Sequence, residues 1–255
     1  MSHPRTLPRL AAVHVVHPGA YMQCTSYLLV GPEGSVLIDP GSGCEEDALL
    51  ANIAAVGVAL PDVKAILLTH CHADHALGAG RIRARGPRIL ASPQNAAKLR
   101  TADRESWGEH PDLIPRTPVD EELADGETVR LAGLDILCVA TPGHTAGCMS
   151  FVVAAEAGRP AFTGDVVCAN GQPGWAGGPD FSVERTLASI DRLLALNLDQ
   201  AFWGHGGPLL DPAAWLRGAA ALGRANRWDA QTAYSFQRVP EKLRDQLGAP
   251  KEKPS

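Results

Sequence analysis

Residues 69–75 read Thr69-His70-Cys71-His72-Ala73-Asp74-His75. Three imidazoles and a carboxylate fall within a single short stretch. Imidazoles packed this closely repel when protonated and need partners when neutral, and a shared metal ion is the simplest common partner. Imidazole nitrogen and carboxylate oxygen suit zinc, and also iron or manganese. His70 and His72 are two apart, so on an extended segment both point the same way, whereas Asp74 and His75 are adjacent and diverge. One short segment can therefore feed two neighbouring metal positions.

Three later stretches follow one logic, in which a strand ends, a Gly or Pro follows, and a ligand type comes next. They are Thr141-Pro142-Gly143-His144-Thr145-Ala146-Gly147, Phe162-Thr163-Gly164-Asp165, and Phe202-Trp203-Gly204-His205-Gly206-Gly207. Glycine permits sharp turns and close backbone approach. Singly, His144, Asp165 or His205 reads as a turn or capping residue. Together with the first cluster they complete two coordination shells.

The elements that must position these side chains are legible from periodicity. Leu10 to Val16 and Ser26 to Val30 read as strands, and Ser35 to Ile38 returns across a Gly31–Gly34 turn to end at Asp39-Pro40-Gly41. Leu49, Leu50, Ile53 and Val56 keep helical spacing within Glu45–Val56. The buried strand Val63–Leu68 delivers the His-rich stretch as a loop, and a helix over Ala76–Arg85 is expected directly beneath it. Arg88–Ala91 is a short strand, and Ser92-Pro93 opens a helix. Arg104 to Asp120 reads as an inserted segment rimming the site. Thr128–Leu131 and Leu134–Ala140 form a hairpin across Ala132-Gly133, followed by strands Met149–Ala154 and Pro160–Thr163. Ser182 caps a helix with the stripe Leu187, Ile190, Leu193 and Leu194. Gln200–Trp203 is a last strand, and Asp211-Pro212 starts a final helix to about Arg224. This order suggests two β/α halves with sheets face to face and helices outside; composition alone supports only an α/β or α+β class.

The combination His-x-His-x-Asp-His at His70 to His75, His144 in TPGHTAG, Asp165 in TGD and His205 in GHG resembles the metallo-β-lactamase superfamily. Asp39, in LIDPG, matches a structural acid of that family. The resemblance spans about Ala12 to Leu210. It implies a four-layer αββα sandwich with a metal site at the sheet edge. It also implies that His70, His72 and His144 hold one metal ion, that Asp74, His75 and His205 hold a second, and that Asp165 bridges them. The ligand set looks most like the glyoxalase II-like and lactonase-like branches. Cys168 stands where quorum-quenching lactonases carry a tyrosine. The basic residues Arg224, Arg227, Arg238, Lys242 and Arg244 read as a solvated tail and leave an anionic substrate open.

The expected cofactor is a pair of divalent ions, zinc foremost, with iron or manganese as alternatives. The expected reaction is hydrolysis of a thioester, lactone or similar acyl bond of a small molecule by a bridging hydroxide. Asp74 is the candidate to steer the water proton, and Thr69 and Asp39 are expected to orient the ligand segment. An iron-dependent persulfide dioxygenase is the alternative, and a nuclease comes third. Trp107, Leu113 and Ile114 on one stretch, and Trp175 and Phe181 on another, are the expected apolar wall for substrate.

At 255 residues the chain fits one large domain with a small appendage, divided at about residue 210 into a catalytic domain and a C-terminal helical extension over 211–255. The balance of 28 acidic to 23 basic residues argues against a nucleic-acid partner. No apolar stretch approaches the roughly 18 residues of a membrane span. The N-terminal stretch shows no signal region, so a cytoplasmic protein is expected, with a homodimer left open. The 6 cysteines show no CxxC pairing and read as free thiols. Cys71 and Cys168 adjoin candidate ligands, so a packing role and a site role both stay open for them.

Overall fold

The structure, a computed structural model, describes residues 5–7, 10–17, 23–101, 116–154, 158–168, 170–174 and 178–228; for 5–7 and 10–17 the description is of the backbone. Trp107, Leu113, Ile114, Trp175, Arg238, Lys242 and Arg244 lie outside the described residues.

The first sheet runs in the order β1 (Arg5–Leu7), β2 (Leu10–His17), β3 (Ser26–Gly31), β4 (Gly34–Ile38), β5 (Val63–Leu67), β6 (Arg88–Ala91) and β7 (Glu121–Glu122). Pairing is antiparallel up to β4 and parallel from β4 onward. The second sheet contains β8 (Thr128–Leu131), β9 (Leu134–Ala140), β10 (Met149–Val153), β11 (Pro160–Gly164), β12 (Gln200–Trp203) and β13 (Pro208–Leu209). Its spatial order is β13-β12-β11-β10-β9-β8, with β11 and β12 parallel. The β8–β9 turn places Ala132 and Gly133 at φ of 52° and 80°, the left-handed pair that a tight hairpin demands.

The two sheets meet through one apolar layer. Tyr27, Leu29, Val36, Ile38, Leu67 and Leu90 from the first sheet pack on Val129, Ile136, Phe151, Phe162 and Phe202 from the second. Alternation along each strand explains why these residues share a face. Each fully buried large side chain contributes about 1.5–3 kcal/mol relative to exposure. The outer face of the first sheet carries Leu28, Leu37 and Ile66. It is covered by α1 (Glu46–Ala55), α3 (Ala79–Arg83) and α4 (Pro93–Thr101) through Leu49, Ile53, Ile82 and Leu99. Beyond the second sheet, α5 (Val183–Ala195) and α6 (Pro212–Arg224) pack together through Ile190, Leu193, Leu216 and Ala220. Ser182 and Asp211 cap these two helices, accepting from the backbone N–H of Arg185 and Ala214. The result is the expected four-layer αββα sandwich.

One expected element is different. The single helix over Ala76–Arg85 is two short helices, α2 (Ala73–Ala76) and α3, with a break at Leu77-Gly78. The Gly78 N–H leaves the helical path to donate to Gly41 O at 2.8 Å, and a side chain at 78 would press on the backbone of residues 40–43. Contact with the loop after β4 thus overrides local helix propensity. In consequence Asp74 and His75 sit on a helical turn, not on a loop. Strands β1, β7 and β13 were not expected; β7 and β13 are two residues each, too short to show a period. Among the described residues no helix is long and apolar enough to cross a membrane.

Candidate metal centre

Parallel pairing brings the ligand segments to one edge. β4 and β5 run parallel with Ile38 opposite Leu67, so Asp39 and Thr69 emerge side by side. β11 and β12 do the same for Asp165 and His205, and the Gly204 N–H donates to Gly164 O at 3.0 Å. The sheets are then stitched across this edge: Met149 N–H donates to Thr69 O at 2.9 Å and Thr25 N–H to Gly204 O at 2.6 Å. Gly204 is obligatory here, because a Cβ at that position would strike Asp165 and His75.

All seven sequence-predicted ligand residues converge. His144 Nε2 lies 3.2 Å from His70 Nε2 and 2.9 Å from His72 Nδ1. His205 Nε2 lies 3.2 Å from Asp74 Oδ2 and 3.4 Å from His75 Nε2. Asp165 stands between the two triads. Its Oδ2 is 3.1 Å from His205 Nε2 and 3.9 Å from His144 Nε2, and its Oδ1 is 3.5 Å from His75 Nε2. His70, His75 and Asp165 form a further group of ligand atoms within 4.8 Å of one another, so the acid touches one member of each triad.

The two halves differ electrostatically. Burial, with His75, His72 and His144 adding to it, holds His70 well below the usual imidazole range. Burial and His144 take His72 down to about 3, and burial lowers His144. These three rings are neutral. Burial opposes a charge on His75, but Cys24, Asp74, Asp165 and Asp39 outweigh it and raise its pKa well above normal. The same contest on His205 is won by Asp165 and then Asp74. Burial opposes ionisation of Asp165 and Asp74, yet the facing imidazoles keep both carboxyls below the ordinary range.

The donor set fits a pair of metal ions. Three neutral ring nitrogens converge with too few protons to bridge them all, which is the arrangement a cation satisfies. Asp165 Oδ1 and His144 Nδ1 are both buried without a hydrogen-bond partner. On the second side, Asp74, His75 and His205 bring a carboxylate oxygen and two ring nitrogens within 4.8 Å of one another, a spacing that one ion can satisfy.

Outer contacts orient the ligands. Asp39 accepts from Thr69 N–H at 2.8 Å, from Thr69 Oγ1 at 2.6 Å and from His75 Nδ1 at 2.8 Å. Thr69 Oγ1 in turn contacts His70 Nδ1 at 3.0 Å. Sequence reasoning missed Asn95, whose Nδ2 donates to Gly147 O at 2.9 Å, and Asp180, which accepts from Ala146 N–H at 2.6 Å and pairs with Lys98 at 2.8 Å. Both hold the loop bearing His144. An Asn one turn into a helix and an Asp in a loop carry no periodic signal that would single them out. Phe181 is half-buried directly before the Ser182 cap.

The superfamily profile "Metallo-beta-lactamase superfamily" matches residues 20–205. The chain belongs to that superfamily. It is 29% identical over 234 residues to a hydroxyacylglutathione hydrolase from Acidiphilium cryptum, covering 88% of this chain and 83% of that one. An atrochrysone carboxyl ACP thioesterase from Aspergillus fumigatus is 28% identical over 202 residues, covering 78% of this chain and 56% of that one. A mitochondrial persulfide dioxygenase from Bos taurus is 30% identical over 152 residues, covering 58% and 50%. Among solved structures, a HARLDQ motif mutant of a metallo-beta-lactamase from Cronobacter sakazakii superposes with a TM-score of 0.72 at 25% identity, covering 89% of this chain and 97% of that one. The chain spans about half the length of several curated relatives it matches, 47% of one probable metallo-hydrolase and 56% of the thioesterase.

The cysteines are all free, with five buried and Cys44 partly exposed. Cys71 packs in the core between the first sheet and its helices. Burial pushes the Cys138 and Cys148 thiols up to about 12 and also raises Cys24 and Cys168. Near neutral pH a thiol held up by burial in this way is thiolate only in trace amount. A thiol reagent should therefore label Cys44 rapidly in the native protein and all 6 cysteines after unfolding. Peptide mapping that found Cys71 or Cys168 labelled as fast as Cys44 would contradict this packing.

Proposed function

We propose that the chain is a metal-dependent hydrolase that cleaves an acyl bond of a small molecule, with a thioester the foremost candidate. The observation that carries the reading is the convergence of two ligand triads on a shared carboxylate. His70, His72 and His144 would hold one ion and Asp74, His75 and His205 the other, with Asp165 between them. Zinc is the favoured metal, with iron or manganese as alternatives. When bound, the ions would supply a water acidic enough to attack near neutral pH and a Lewis acid for the carbonyl oxygen.

The chain's own residues do the rest. Asp74 is ionised and buried beside His205, and is placed to take a proton from the attacking water. Asp39 and Thr69 hold His75 and His70 in register. Phe181, with Trp107 and Trp175, is proposed to supply the apolar wall for the acyl group, since a site at a sheet edge takes its specificity from what overhangs it. The thioesterase and hydroxyacylglutathione hydrolase relatives support the thioester over the lactone. Free thiols throughout suit a reducing compartment, and the cytoplasm is the proposed location.

The dioxygenase relative gives the oxidative reading a specific basis. The two separate cleanly by assay. Metal-loaded protein should turn over a thioester at the same rate with and without dioxygen, and should not consume dioxygen with a persulfide. Turnover that stops under anaerobic conditions, with dioxygen-derived oxygen in the product, would overturn the hydrolase reading.

A further inference from the structure

We propose that Tyr27 is a positioning residue for His205, fixing the loop that presents this imidazole and thereby setting the affinity of the second metal position. The inference rests on the reading of His205 as a ligand of that position.

His205 is the least buried of the seven ligand residues, and it sits in Gly204-His205-Gly206-Gly207. A segment this rich in glycine has little intrinsic preference for one backbone conformation. Something outside it must choose the one that aims the ring inward. Tyr27 does so from the opposite sheet. Its ring is wedged between the sheets, 5.2 Å from Phe162 and 5.4 Å from Phe202 between centroids. Its hydroxyl reaches the sheet edge and lies 2.6 Å from both Trp203 O and Gly206 O. One phenolic proton is thus shared by the two carbonyls that flank Gly204 and His205. The neighbouring Thr25 N–H takes Gly204 O at 2.6 Å, so carbonyls 203, 204 and 206 are all tied to the start of β3. A rigid aromatic lever anchored in the core is stiff in a way that a water or a long polar chain is not. Trp203 closes the other side: a Cβ on Gly206 would lie 2.5 Å from its indole. The loop is held between phenol and indole, with the His205 ring turned to Asp165.

Tyr27→Phe removes the hydroxyl and keeps the ring. Zinc titration of metal-free protein, read by calorimetry and chelator competition, should show one equivalent weakened by about tenfold to a hundredfold, the range for partners that orient a ligand. The other equivalent should be unchanged, and saturating zinc should restore kcat. His205→Ala should abolish the same equivalent that Tyr27→Phe weakens. Gly206→Ala, which displaces the loop from the indole side with Tyr27 intact, should repeat the selective loss, and unaltered binding there would overturn the premise that the loop's position sets this equivalent. Wild-type binding in a folded Tyr27→Phe, with His205→Ala defective, would overturn the positioning role alone. Equal weakening of both equivalents together with a lowered Tm would also overturn it, since that is the mark of a core support. Two intact equivalents in His205→Ala would overturn the ligand reading and this inference with it.

Discussion

Replacing Asp165 by alanine should lower kcat/KM by about three orders of magnitude and weaken both metal positions at once. The size follows from the several kcal/mol of transition-state stabilisation that a metal pair contributes, at about 1.4 kcal/mol per tenfold in rate. The double effect follows from geometry. Asp165 reaches His205 and His144 through Oδ2 and His75 through Oδ1, so it faces both triads. Asp74 makes the contrast. It lies 3.2 Å from His205 and 3.6 Å from His75, both in the second triad. Asp74→Ala should therefore cost one equivalent of metal and leave the His70, His72 and His144 triad loaded. Elemental analysis and steady-state kinetics on both variants, with circular dichroism as a check on folding, measure this directly. Two retained equivalents and near-normal turnover in Asp165→Ala would remove the basis for a paired site.

Most of the fold was legible because its elements keep clear periods and end on strong signals. Val63–Leu68 is apolar apart from the exposed Lys64 and stops at a ligand cluster, and the strand it foretells is β5. Ser182 and Asp211 read as caps and are caps. The ligand residues were legible for a related reason: each ligand segment comes just after a strand, with threonine, proline or glycine at the junction. Parallel neighbours in the sheets carry those ends to one edge. What sequence could not give was fixed by contacts between distant segments. The break at Gly78 depends on residues 41–43, and no local pattern marks it. Tyr27 looks like any aromatic on a buried strand until the second sheet is packed upon it. Asp180 and Asn95 act on a loop more than thirty residues away in the chain. Trp107 and Trp175, the residues expected to line a substrate wall, lie outside the described residues, so only Phe181 of that set has a described place.

Asp39→Asn should weaken metal binding by about tenfold to a hundredfold although Asp39 belongs to neither triad, and it should act on both positions. The argument is one of protons. Thr69 Oγ1 gives its single proton to Asp39 Oδ2, so toward His70 Nδ1 it can only accept. That fixes His70 as the Nδ1–H tautomer and turns the Nε2 lone pair toward His144 and His72. His75 Nδ1–H also donates to Asp39 Oδ2, which frees its Nε2 for the second position. One carboxylate thus sets the tautomer of a ligand in each triad. In asparagine one oxygen becomes an amide NH2. With its oxygen toward Thr69 N–H, the NH2 faces both Thr69 Oγ1 and His75 Nδ1 and drives the proton of each ring to the metal-facing nitrogen. The backbone need not change, because Asp39 has φ of 49° and asparagine tolerates that region well. Asp39→Ala should be worse. It leaves buried donors unpaired at about 1–3 kcal/mol each, and it places an alanine in the left-handed region at about 1–2 kcal/mol. Its Tm should fall clearly, whereas that of Asp39→Asn should fall little. Metal titration and thermal unfolding of the two variants side by side separate these effects. If Asp39→Asn binds both ions as the parent does, the tautomers are set by something other than Asp39.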